Sequence, residues 1–264
     1  MPPTVPATLA ALGLSLDDGQ LQQLERYLDL LLDANATVNL TAVTDRDTAW
    51  RKLLLDSLTL APGLEGVAPG QRVIDVGTGG GIPGIPLAIA RPDLQFTLVD
   101  ATAKKARRVA DFARALGLSH VTVEAGRAED LAHQKAHRER YAVATCRAVG
   151  SMREIVEYLL PFCLVPTPAP PAAADDADAA TPAGRVVTLK ASHAHEELDA
   201  AGDAIATLGG GDLAVYDAYP DGSDPQLVVI LIEKARPTPR ADPRPPGSAR
   251  PAPLGRRRQI ADRR

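Results

Sequence analysis

The chain has 264 residues, 45% hydrophobic and 3% aromatic, with a formal net charge of −4. That supplies one sizeable core with extensions, and the acidic total excludes a uniformly basic surface. Two cysteines, Cys146 and Cys163, exclude a disulfide scaffold and fit a reducing, cytoplasmic setting. No signal peptide is apparent, and no apolar run approaches the roughly 20 residues of a membrane span.

Residues 1–8 carry three prolines and are expected to be disordered. Ser15-Leu-Asp-Asp18 reads as a helix start, with acids in the first turn. Leu21, Leu24, Leu28, Leu31 and Leu32 follow at helical spacing. Thr44-Asp-Arg-Asp47 reads as a second start, leading to Trp50, Leu53, Leu54, Ser57 and Leu58. Residues 9–65 are therefore expected to form a small N-terminal helical subdomain.

Pro69-Gly70 marks entry to a sheet. Strands are expected near 72–76, 95–99, 120–124, 141–145, 185–190, 213–218 and 226–233. Helices are expected near 84–91, 103–116, 151–163 and 193–208. Such alternation predicts an α/β fold over 66–234, a doubly wound, mostly parallel sheet. The last two strands flank Asp221-Gly222 and read as an antiparallel hairpin at the sheet edge. Residues 166–184 hold five Pro, eight Ala and three Asp and read as a disordered insertion. Residues 235–264 hold nine Arg and two Asp, which leaves +7 there and −11 on the rest. This segment reads as a mobile basic tail for a polyanion partner, or as a solvated tail with no partner.

The stretch Val73-Ile-Asp75-Val-Gly77-Thr-Gly79-Gly80-Gly81-Ile82-Pro83-Gly84 carries the chemistry. A buried strand runs into a glycine turn and then a helix, the arrangement that cradles a nucleotide-like cofactor. Gly79, Gly81 and Gly84 satisfy the dinucleotide spacing, so a NAD-dependent dehydrogenase is one reading. Asp75, however, would lie near a diphosphate and repel it. A cofactor with an ammonium and a sulfonium, S-adenosylmethionine, suits that carboxylate better. Alternatively Asp75 caps its own turn.

Asp100 ends the second strand. Its carboxylate can accept both ribose hydroxyls of either cofactor, or it can cap the next helix. After the third strand, Ala128 and Glu129 offer an amide and a carboxylate to an adenine, or simply place acids in a first helical turn. Arg147 follows the fourth strand. It can hold a cofactor carboxylate or an RNA phosphate, or form a structural ion pair. Cys146 reads as a buried thiol. His133 and His137 lack a third ligand, so no metal site is expected. No nucleophile–base pair or paired carboxylates stand out.

Taken together, Asn39-Leu-Thr-Ala, Leu55-Asp56-Ser57, the Gly-Ile-Pro repeats of residues 81–86, Arg91-Pro92, Leu98-Val-Asp100 and Cys146-Arg147-Ala148 resemble the RsmG family. These are glucose-inhibited division protein B, bacterial 16S ribosomal RNA guanine-N7 methyltransferases. The resemblance implies a class I methyltransferase fold, Rossmann-like with a C-terminal antiparallel hairpin, and S-adenosylmethionine as cofactor. It implies cofactor contacts at Gly77, Ile82, Ala128, Glu129 and Arg147. Asp75, Gly79 and Asp100 join these as candidates from the residues themselves. It also implies 16S rRNA or the small ribosomal subunit as partner; a monomer is expected.

Leu53 stands where many relatives carry His, and Pro225-Gln226 where relatives often carry basic residues. Guanine N7 has a free lone pair and no proton to lose, so no catalytic acid or base is expected. A small-molecule methyltransferase and a non-catalytic ribosome-binding protein share the fold and remain open alternatives.

Overall fold

A computed structural model of the chain describes residues 1–147, 150–168, 181–191 and 193–254. Its first element is α1 (Val5–Ala11), where disorder was expected through residue 8. Val5, Leu9 and Leu12 recur at helical spacing and are buried, and proline suits a first turn because its missing N–H is not needed there. The next helix, α2 (Asp18–Asn35), is closed by a capping box between Asp17 and Gln20. It buries Leu24, Tyr27, Leu28 and Leu31 along one stripe. Asp45 caps α3 (Arg46–Ala49). That helix runs on as a π-helical stretch, Trp50–Leu55, and then α4 (Asp56–Leu58). The indole N–H of Trp50 donates to Glu25 at 2.9 Å, which ties this segment to α2.

Strand and helix then alternate: β1 (Arg72–Val76), α5 (Gly84–Ala90), β2 (Gln95–Asp100), α6 (Ala103–Ala115) and β3 (Val121–Ala125). They continue as α7 (Ala128–Leu131), β4 (Val143–Cys146), α8 (Met152–Leu159), β5 (Arg185–Lys190), α9 (Ala194–Thr207), β6 (Gly210–Asp217) and β7 (Val228–Lys234). The sheet order is β3-β2-β1-β4-β5-β7-β6. The first five strands are parallel. β7 runs antiparallel to both β5 and β6. The hairpin is therefore the one expected, inserted so that its first strand forms the edge. A register shift interrupts the β6 ladder between Gly210 and Leu213.

Side chains alternate between two cores, as strand geometry requires. Val73 and Val143 face a core built with α2, the π-helical stretch, α5 and α6. Ile74, Val76 and Ala144 face a second one built with α8 and α9. Both faces of the parallel strands are covered, which is why they read as continuous apolar runs.

Most of the expected insertion, residues 169–180, lies outside the described residues; its ends meet in an antiparallel bridge between Thr167 and Thr181. The tail departs from the mobile segment expected from residue 235. As far as Leu254 it is laid along the domain. A proline-rich strand has carbonyls without partners of its own, and Arg138 supplies donors. Its guanidinium donates to the carbonyls of Thr238 (2.8 Å), Pro239 (2.9 Å) and Asp242 (2.9 Å). Arg244 forms a two-pronged ion pair with Glu157 at 2.8 and 2.6 Å. The expected residues 255–264 of the tail lie outside the described residues.

Candidate functional site

β1 is where the strand order reverses, since its neighbours β2 and β4 are reached in opposite directions. In open α/β sheets ligands bind in the crevice this reversal opens at the carboxyl ends of the strands. The glycine turn fills that position. Gly81 has φ +102, and a Cβ there would meet Ile85 at 2.7 Å. At Gly84 a Cβ would come within 2.1 Å of Leu98 and 2.7 Å of the Asp75 carboxylate. Glycine is thus demanded at the first position by conformation and at the second by close approach.

Asp75 is fully buried and sits under this turn. Its Oδ2 accepts from the Thr78 hydroxyl at 2.6 Å and from the Gly84 N–H at 3.0 Å. Its Oδ1 has no partner. Burial pushes its pKa up to about 7, against the pull of those two donors. The carboxylate braces the turn and does not line the neighbouring cavity. Gly79 is held by its own N–H, which donates to Asp100 Oδ2 at 2.9 Å. Ile82 closes the turn through its N–H, bonded to the Thr78 carbonyl at 2.9 Å. The Tyr27 hydroxyl donates to Gly80 O at 2.9 Å, so α2 fixes the turn from the other side.

A cavity of about 340 Å³ opens over β1, β2 and β3, within the roughly 300–1,000 Å³ of small-molecule sites. Gly77, Asp100, Ala128 and Glu129 line it together. Val76, Val99 and Tyr158 supply apolar wall, and Arg127 and Arg250 bring two guanidiniums. The cavity therefore balances two carboxylates, Asp100 and Glu129, against two cations, Arg127 and Arg250, neither of which is among the expected contacts. Electrostatics alone does not choose between a cationic and a diphosphate ligand here. Asp100 also accepts from Thr102 N–H at 2.7 Å, so it caps the following turn and lines the cavity at once.

Arg147 lies apart from this group. It borders a second cavity of about 330 Å³ at the carboxyl ends of β4 and β5, with Asp56, Gly150 and Lys190. Its guanidinium donates to the Lys52 carbonyl at 2.5 Å and reaches the Leu53 carbonyl and Ser57 Oγ at 3.4 Å. Burial lowers its pKa, opposed by Asp56 first and then by Tyr27, Tyr219 and Asp75. Both thiols are buried, and burial pushes each up to about 12, which leaves them inert.

Three features escape sequence reasoning. Gly247 and Arg250 of the tail form part of the first cavity wall, and the Gly247 N–H donates to Glu129 Oε1 at 3.2 Å. Tyr158 of α8 joins them. Asp56 and Tyr219 share a 2.5 Å hydrogen bond beside the second cavity. One signal was present: Glu154 and Glu157 interrupt an otherwise apolar helix face, and the tail carries the arginines that pair with them.

A sequence profile of the GidB family, described as rRNA small subunit methyltransferase G, matches residues 20–167. The ribosomal RNA small subunit methyltransferase G of Moorella thermoacetica is 39% identical over 92% of this chain and 93% of its own. That of Dehalococcoides mccartyi strain CBDB1 is 37% identical over 93% of this chain and 97% of its own. Among solved structures, a predicted O-methyltransferase from Agrobacterium tumefaciens shares the fold, with TM-score 0.50 at 14% identity over 69% of this chain and 82% of that one. The chain, with its class I methyltransferase fold, belongs to the GidB family, the rRNA small subunit methyltransferase G family.

Proposed function

We propose that the protein transfers a methyl group from S-adenosylmethionine to N7 of a guanine in 16S ribosomal RNA. The observation that carries this is the convergence of Gly77, Asp100, Ala128 and Glu129 on one cavity at the sheet's switch point, in a chain of this family. The residues fit the cofactor. Asp100 accepts the ribose hydroxyls. The Ala128 amide and Glu129 carboxylate take the adenine ring nitrogen and amino group. Gly77 lets the backbone approach closely. Arg147, which borders the second cavity and not the first, would take the methionyl carboxylate of a donor that extends across the β1–β4 reversal. Ile82, Gly79 and Asp75 keep the turn in shape.

Bound S-adenosylmethionine supplies a methyl group activated by its sulfonium. Guanine N7 attacks with its own lone pair and loses no proton, so the chain's residues bind, orient and exclude water. Alignment of reactants can supply about 7–11 kcal/mol of the barrier. The target base must leave its stack to reach the site. We further infer a cytoplasmic monomer that acts on 16S rRNA or the small ribosomal subunit; the two buried, inert thiols accord with a reducing compartment.

Purified protein, tritiated S-adenosylmethionine and 16S rRNA, offered both free and within the small ribosomal subunit, test this directly. The expected result is label at a single guanine whose N7 methylation is revealed by reduction and aniline cleavage. Label confined to small molecules, or none, overturns the reading. Calorimetric uptake of a nicotinamide dinucleotide without any of S-adenosylmethionine would overturn the cofactor as well.

A further inference from the structure

The second cavity lies on the far side of the β1–β4 reversal from the first. Arg147 and Gly150 follow β4, and Lys190 ends β5. A donor held over β1, β2 and β3 would have this cavity as its neighbour across the β1–β4 reversal, with Arg147 in its wall. Asp56 enters it from the N-terminal helical subdomain. The Tyr219 hydroxyl fixes Asp56 Oδ1 at 2.5 Å. Among the described residues no donor is bonded to Oδ2, although Asp56 is only 9% exposed. The carboxyl thus sits at the cavity wall, oriented by one strong hydrogen bond and with accepting capacity left over.

We propose that Asp56 reads the acceptor guanine, its carboxylate accepting the N1–H and the N2 amine so that N7 is presented to the methyl donor. The proposal rests on guanine N7 being the acceptor. An ionised carboxylate only accepts hydrogen bonds, and guanine has donors only on this edge. Adenine puts a lone pair at N1, and the carboxylate repels it. The contact also leaves N7 free, which an arginine chelating O6 and N7 would not.

The same pair contributes to rate as well as recognition. As the N7 lone pair forms the N–C bond, the S–C bond breaks and its electrons stay on sulfur. The sulfonium becomes a neutral thioether, the ring becomes cationic, and no proton leaves. N1–H is a stronger donor in the cationic ring, so its bond to Asp56 tightens in the transition state. Burial raises the pKa of Asp56, while the Tyr219 hydrogen bond and the Arg147 charge favour its ionised form.

The test begins with the protein free of cofactor, titrated with fluorescent 7-methylguanosine 5′-monophosphate, whose cationic ring mimics the product, and with AMP as competitor. The unmodified protein is expected to prefer the methylguanine by about 10–100-fold, the discrimination of a bidentate base contact. In Asp56→Asn the preference falls below about 3-fold, while the melting temperature and the affinity for S-adenosylmethionine stay as they were. No preference in the unmodified protein, or an equal one in the variant, overturns the proposal. The second arm replaces the target guanine of 16S rRNA by inosine, which keeps N1–H and lacks the amine. Transfer by the unmodified protein is expected to slow about 10-fold, with no further slowing in Asp56→Asn. If Asp56→Asn fails to fold, inosine on the unmodified protein decides: an unchanged rate sinks the proposal. If no rRNA is methylated at all, the function fails first, and the nucleotide titration still reports on the pocket.

Discussion

Asp75 illustrates how a residue's place in the sequence can be read correctly while its state is not. Its position at the end of β1 is legible, because a strand followed by glycines is a local pattern. Its burial under Gly84 is not, because that depends on how closely α5 approaches β2. The consequence is a pH dependence. An unfolded carboxyl ionises near 3.8, whereas the folded one holds its proton to about 7. Between those values the native state binds the extra proton, so stability is full below about 4 and is lost as pH rises through about 7. Three units correspond to about 4 kcal/mol at most. Urea unfolding at pH 5 and pH 8 should show the native chain losing stability relative to Asp75→Asn across that interval. Parallel curves for the two would place the ionised form at no disadvantage in the native state. Arg147 offers the complementary lesson: its strand-end position was readable, but its hydrogen bonds to the π-helical stretch, 94 and 95 residues away in sequence, were not.

The alternation of strand and helix and the final hairpin follow from neighbours within a few residues, whereas α1 begins where disorder was expected and the cap of α2 falls on Asp17 with Gln20, two residues past the Ser15 start that was expected. The tail was not legible, because composition rich in Pro and Arg describes both a disordered segment and a strap held by distant partners. The Arg138 contact to Asp242 spans 104 residues, and the Arg244 contact to Glu157 spans 87. Glu157 is fully buried, so Arg244 is what neutralises it. Breaking a buried pair from one side costs about 3–5 kcal/mol. Arg244→Ala should therefore lower the chemical denaturation free energy by about that amount, with Arg244→Lys recovering part of it. A loss below about 1 kcal/mol would mean that water reaches Glu157 and the strap is loosely attached.

For the whole molecule, the charge asymmetry has to be redrawn. Arg244 and Arg250 are spent on Glu157 and Glu154, so part of the basic segment serves the domain itself. Five further arginines stand at positions 256–258, 263 and 264. We predict that a chain ending at residue 254 keeps its fold and cofactor affinity but binds rRNA with a shallower salt dependence. Five phosphate contacts to single-stranded RNA would contribute about 3–4 to the log–log slope. Identical slopes for the two chains would make those arginines bystanders. The β6 edge has a different consequence for the molecule among its copies. It begins with two glycines, breaks register before Leu213 and carries Asp212 and Asp217. Kinks and repulsive side chains on an outer strand discourage lateral growth by strand addition, so crowding at high concentration should favour loose encounters over extended ribbons of shared sheet.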